Sequence, residues 1–163
     1  MYPMLTHANF AVSWALLVLI WLVQLIIYPC FYRISPEAFI SYHQWYVKRI
    51  TFIVLPLMIA ELALAARWIL LDHYSAVSVL YSFFIFIIWL STFALQVPIH
   101  NRLKSGKDDM LIRRLLLTNW IRTAAWSLKA FVATIHLVNS STGSVISASR
   151  RSLISILFFS SIS

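Results

Sequence analysis

Four stretches of about 20 apolar residues govern what this chain can become. A helix rising 1.5 Å per residue needs roughly 20 such residues to cross the hydrocarbon core of a bilayer. Residues 8–28, 50–71, 77–97 and 115–138 meet that length. The runs are unbroken, where the strands of a membrane barrel would alternate over about ten residues. The expected fold is therefore all-α: an antiparallel four-helix transmembrane bundle over residues 1–138. Composition agrees, since only 11% of the 163 residues are charged and 61% are hydrophobic, whereas a soluble domain carries roughly a quarter charged residues. Disorder, a coiled coil and a disulfide scaffold are excluded on the same ground, and the lone Cys30 has no internal partner.

Local signals refine the four spans. Pro29 is expected to stop the first near Tyr28, and Pro98 to close the third at Val97. Ser35-Pro36-Glu37 places a cap residue, a proline and an acid where a helix begins, and that helix is expected to run through His43 into the second span. Residues 72–76 form a tight connection. No Lys or Arg precedes the first apolar run, so it lacks the basic region of a secretory signal and reads as a retained span. Residues 139–163 form a separate serine-rich tail, with ten serines in 25 residues. It reads as a disordered tail, an interfacial segment or sequence foreign to the bundle.

The net charge of +8 comes from 13 Lys and Arg against five acids. No nucleic-acid motif accompanies it, so no nucleic-acid partner is expected. The charge is distributed by loop. Arg33, Lys48, Arg49, Arg102, Lys104, Lys107, Arg113 and Arg114 lie on the first and third connections, and Arg67, Arg150 and Arg151 on the other side. The positive-inside rule then places the first and third connections in the cytoplasm and both termini outside, with the lipid bilayer as the obligatory partner.

Polar residues inside the spans fall on stripes. Trp14, Trp21, Gln24 and Tyr28 are spaced 7, 3 and 4, as are Ser82, Trp89, Thr92 and Gln96, with His100 four further on. Asn119, Arg122, Trp126, Lys129 and His136 form the stripe of the fourth span. All four stripes are expected to face a common interior. Counting along the helices brings Glu61 and Lys129 to similar depth, either as a structural ion pair or as a proton-relay or ligand-anchoring carboxylate. A second cluster gathers Tyr28, His43, Gln96, His100, Asn119 and Arg122, a candidate ligand-binding set. His43 and His100, on separate helices, are either ordinary interfacial histidines or ligands to a cofactor, haem foremost, because two imidazoles suffice for bis-histidine ligation. They are too few for a closed zinc site, and no metal centre is expected. Arg122 requires an anionic or carbonyl partner such as a headgroup, a quinone oxygen or an acidic substrate group. No nucleophile elbow or phosphate-cradling loop is present.

The strings VQLIIYPCFYRISPEAFISYHQWYVKRI, PLMIAEL, WLSTFALQVPIHNRLKSGKDD and LLLTNWIRTAAWSLKAFVA resemble a small bacterial family of four-helix integral membrane proteins that has no established activity. The general layout is more distantly similar to the anthrone-oxygenase-like membrane proteins, in which an Asn and an Arg recur on the fourth helix. The matching positions are His43, Glu61, Gln96, His100, Asn119, Trp120, Arg122 and Trp126, and Lys129 stands where the family pattern has Arg. The resemblance implies the fold and leaves the chemistry open. Three functions follow: binding of a small hydrophobic ligand, quinone or haem; a structural subunit alongside a membrane-protein partner or further copies of the chain; and a cofactor-free oxygenase-like membrane enzyme.

Overall fold

The computed structural model describes residues 3–71, 73 and 75–160, with side chains described only up to Gly143. It is all-helical, with no strand among the described residues. Four long helices make it up: α1 (Met4–Arg33), α2 (Pro36–Leu71), α3 (Ala76–Leu103) and α4 (Asp109–Ser160). The first three are long and apolar enough to cross a membrane. The fourth falls short on composition, because Asn119, Arg122 and Lys129 dilute its apolar run.

Helix α2 is a single helix of 36 residues that carries His43 and Glu61 on one rod. Asp108 starts α4, its carboxylate accepting from the Met110 and Leu111 backbone N–H groups at 2.8 and 3.0 Å. Before it, Lys107 Nζ donates to the Tyr32 and Ile34 carbonyls, both at 2.9 Å, and so ties the α3–α4 connection to the α1–α2 connection. Helix α4 does not end near Val138. Its backbone runs on to Ser160, through the segment the sequence sets apart as a tail.

Neither Pro29 nor Pro98 ends its helix. Each lies just after a π-helical turn, Val23–Ile27 in α1 and Thr92–Gln96 in α3. The residue before each proline donates its N–H five residues back, Tyr28 to Val23 and Val97 to Thr92. A proline has no N–H to offer, and its ring collides with the carbonyl four residues earlier. Widening the turn relieves that collision and lets the helix continue to Arg33 in one case and to Leu103 in the other. The wider turn also adds a residue to the buried stripe. In α1 the stripe reads Leu16, Ile20, Val23, Tyr28 and Phe31, and in α3 it reads Ile85, Ile88, Ser91, Gln96 and Ile99.

The core has two parts. One gathers Leu16, Ile20, Phe31, Phe39, Leu115 and Trp126 with their neighbours, and the other gathers Leu5, Ala65, Trp68, Tyr81, Ile85 and Ala133. Outside them, large apolar side chains such as Phe52, Phe83, Phe86 and Phe131 are exposed. The interior stripe of α1 is not the aromatic one. Trp14 and Trp21 are 42% and 37% exposed and donate sideways to Thr134 and Ser127 of α4, whereas Asn9, Ser13, Leu16 and Ile20 point inward. Seven-residue spacing drifts around a straight 3.6-residue helix, so it marks a seam and not the buried centre.

Candidate functional site

Two polar clusters among the described residues bear on function. The first joins all four helices. Lys129 of α4 pairs with Glu61 of α2, and both side chains are wholly buried. Lys129 Nζ also donates to Ser13 Oγ of α1 at 3.2 Å and to Tyr81 Oη of α3 at 3.4 Å, and Trp126 Nε1 donates to Glu61 at 3.3 Å. Ser13 and Tyr81 are themselves 2.9 Å apart. Ser13 and Tyr81 do not feature in the sequence reading of the site. The signal for Ser13 was the run Thr6, Asn9, Ser13 at helical spacing; Tyr81 lies between aromatic neighbours and carries no such mark.

The second group forms the polar end of a cavity of about 310 Å³ between α2 and α3, with α1 and α4 behind it. Tyr46, Ile50, Val54 and Met58 line it from α2, and Trp89, Thr92, Gln96 and His100 from α3. Both π turns border it, α1 contributing Val23 and Tyr28 on either side of its wide turn. Such turns recur at functional sites because they re-aim side chains that a regular helix would leave in another phase. From Tyr46 to Met58 the wall extends roughly 18 Å at 1.5 Å per residue. Its polar groups gather at the Tyr46 end and its apolar ones toward Met58 and Trp89. No Asp or Glu is among the described residues that line it. The outer walls at Leu55, Phe93 and Val97 are exposed, so the cavity opens as a cleft between two apolar helix faces.

Arg122 reaches this polar end from α4 and is 8% exposed. Its guanidinium lies beside the Tyr28 and Tyr46 hydroxyls and rests over the Trp126 ring at 5.0 Å. Its Nε has no hydrogen-bond partner, and no carboxylate pairs with it among the described residues. Tyr28 Oη donates to Gln96 Oε1 at 3.4 Å and lies 3.2 Å from His100 Nε2, and Gln96 Nε2 donates to Thr118 at 3.0 Å. Tyr28, Gln96, His100 and Arg122 therefore share one wall. Asn119 is separate: its amide donates to Gln24 Oε1 at 2.7 Å, while Gln24 Nε2 donates to the Leu116 carbonyl. Neither Asn119 nor Gln24 lines the cavity.

His43 and His100 come together, but not as haem ligands. His43 Nε2 and His100 Nδ1 are 3.0 Å apart in a direct hydrogen bond, and the rings stack at 5.2 Å with 29° between their planes. Bis-histidine ligation needs the two nitrogens on opposite faces of a flat macrocycle. Here the facing nitrogens are spent on each other and leave no slot between the rings, so the pair does not fit a haem. Among the described residues no group of three or more His, Cys, Asp or Glu could hold a metal ion. Compared with known proteins, the chain matches no family model, no curated protein and no solved structure.

Proposed function

We propose that the chain is an antiparallel four-helix transmembrane bundle that binds a small hydrophobic ligand with an oxygen-bearing head in the α2–α3 cavity. The carrying observation is Arg122: a buried guanidinium without a carboxylate, at the polar end of an otherwise apolar cavity that no acid lines. A cation held out of water needs a partner, and the fork of a guanidinium suits a carboxylate, phosphate or quinone-type oxygen. The cavity's shape, polar at one end and apolar along its length, matches an amphiphile.

Several observations support the transmembrane arrangement. Contacts between α1 and α4 descend as α1 ascends, Trp14 with Thr134, Trp21 with Ser127 and Gln24 with Asn119. The charged residues of α4 that dilute its hydropathy, Arg122 and Lys129, are buried among the other helices and not turned outward. That is where polar groups of a fourth membrane span belong. The excess of Lys and Arg near the α1–α2 and α3–α4 connections favours an orientation with those connections in the cytoplasm and both termini outside, and the family resemblance favours a bacterial inner membrane.

The test is to purify the chain in mild detergent, extract it with solvent and identify what is retained by mass spectrometry, in parallel with Arg122→Ala. Retention of an oxygen-headed amphiphile by the wild-type chain and its loss from Arg122→Ala is the expected result. Identical extracts from the two folded proteins would reject ligand binding in favour of a structural subunit.

A further inference from the structure

Behind the polar wall of the cavity runs a chain of hydrogen bonds that merely holding a ligand does not require. Tyr28 Oη stands 3.2 Å from His100 Nε2, and His100 Nδ1 stands 3.0 Å from His43 Nε2. Tyr28 and His100 line the cavity; His43 lies one ring deeper with no exposed surface. The His43 Nδ1 has no hydrogen-bond partner. Its ring stacks on Phe39 at 5.5 Å and meets Phe31 nearly edge-on at 5.8 Å. The charged and titratable neighbours of the chain are Arg122, Lys104, Tyr46 and Tyr42, with no carboxylate among them.

We infer that Tyr28, His100 and His43 form a proton-transfer chain that draws a proton from the head of the ligand, which therefore carries a weakly acidic hydroxyl. This rests on the ligand-binding reading above. A neutral imidazole donates from one nitrogen and accepts at the other, which gives the chain a direction. With His100 Nδ1–H donating to His43 Nε2 and the Tyr28 hydroxyl proton turned from Gln96 Oε1 to His100 Nε2, the imidazole accepts from the phenol, and a ligand hydroxyl donating to Tyr28 Oη completes the row. Transfer breaks the ligand O–H bond and forms a new one on Tyr28. The original tyrosine proton passes to His100 Nε2, and the His100 Nδ1 proton passes to His43 Nε2. Tyr28 ends as it began, His100 ends in its other neutral tautomer, and His43 becomes an imidazolium. No electrons are exchanged and the net charge of the site is unchanged. The new anion faces the Arg122 guanidinium, a fixed cation, and the imidazolium lies against the face of the Phe39 ring. A carboxylate arrives already ionised and has no use for the chain, and a ketone has no hydroxyl proton to give it.

The probe is a nitrophenol bearing an alkyl tail, whose anion is coloured and whose neutral form is not. It is titrated into the wild-type protein in detergent near neutral pH, by absorbance and by calorimetry in buffers of different ionisation enthalpy. The expected result is a coloured bound anion with no proton delivered to the buffer, because His43 keeps it. His43→Gln, and independently Tyr28→Phe, should still bind the probe but either leave it colourless or release its proton to the buffer. Wild-type protein that binds the probe in its neutral form, or releases the proton to the buffer, overturns the inference and leaves ligand binding intact. So do folded variants that keep both the colour and the wild-type proton balance. Wild-type protein that does not bind the probe at all refutes ligand binding and this inference together.

Discussion

Removing either Glu61 or Lys129 should cost more than removing both. The two side chains are wholly buried and paired, and stripping one partner from such a pair leaves an uncompensated charge worth roughly 3–5 kcal/mol. Lys129→Met leaves Glu61 with the Trp126 N–H as its single remaining donor, and Glu61→Leu leaves the ammonium with only the Ser13 and Tyr81 hydroxyls. In the double variant Glu61→Leu/Lys129→Met both charges are gone. Ser13 and Tyr81 still bond each other, and the chief loss is the acceptor for Trp126 Nε1, about 1–3 kcal/mol for one orphaned buried donor. Each single variant should thus lose roughly 3–5 kcal/mol and the double roughly 1–3 kcal/mol, a coupling of at least about 3 kcal/mol. Equilibrium unfolding in mixed micelles of increasing SDS fraction, followed by tryptophan fluorescence, measures all three against wild type. Trp68 and Trp126 are buried in the core and report it directly. Single variants within about 1 kcal/mol of wild type, or a double variant whose loss equals the sum of the singles, would show that the pair does not hold the helices together.

Replacing Arg122 by Lys keeps the charge but removes the planar fork, so binding of an oxygen-headed amphiphile should weaken by about 10- to 150-fold, the equivalent of ~1.5–3 kcal/mol for a charged hydrogen bond; calorimetry with the ligand identified by extraction reads it. Absorbance spectra of the purified protein, oxidised and reduced, should show no Soret band, and a band lost in both His43→Ala and His100→Ala would contradict the direct His43–His100 bond. Asp108→Ala removes the acceptor of two backbone N–H groups at the start of α4 and should lower stability by about 1 kcal/mol in the same SDS titration. Pro98→Ala removes the collision that the wide turn in α3 accommodates, and should raise helix stability while weakening ligand binding, because Gln96 and His100 sit on and just past that turn.

The elements were legible where one physical rule governs them. Apolar length revealed all four long helices, three of them apolar enough to span a membrane, and the Ser35-Pro36-Glu37 start signalled that α2 would carry His43 and Glu61 on one rod. The fate of Pro29 and Pro98 was not legible, because a proline marks the loss of an N–H but not whether the turn before it widens or breaks; packing against neighbouring helices decides that. The same gap explains why the α1 stripe of Trp14, Trp21, Gln24 and Tyr28 is interior only at its second half, with Gln24 and Tyr28 buried and both tryptophans turned outward. A constant spacing assumes a constant phase, and the interior line instead runs through Ser13, Leu16 and Ile20 before jumping five residues from Val23 to Tyr28. Within the site, residue type and depth brought Tyr28, Gln96, His100 and Arg122 onto one list. That Asn119 turns instead to Gln24, and that the two histidines bond each other, depends on side-chain rotations that spacing does not encode.

The cleft between Leu55 and Phe93 bears on how occupancy would be counted. Its mouth is flanked by exposed apolar side chains, with Lys104 of the α3–α4 turn at its polar end, so in the transmembrane arrangement proposed above a guest would arrive from the plane of the bilayer. Its effective concentration is then a mole fraction in lipid, set by partitioning and diluted by every added phospholipid, while the volume of surrounding buffer hardly matters. Affinities measured at one lipid-to-protein ratio would shift at another, although no contact in the cavity had changed.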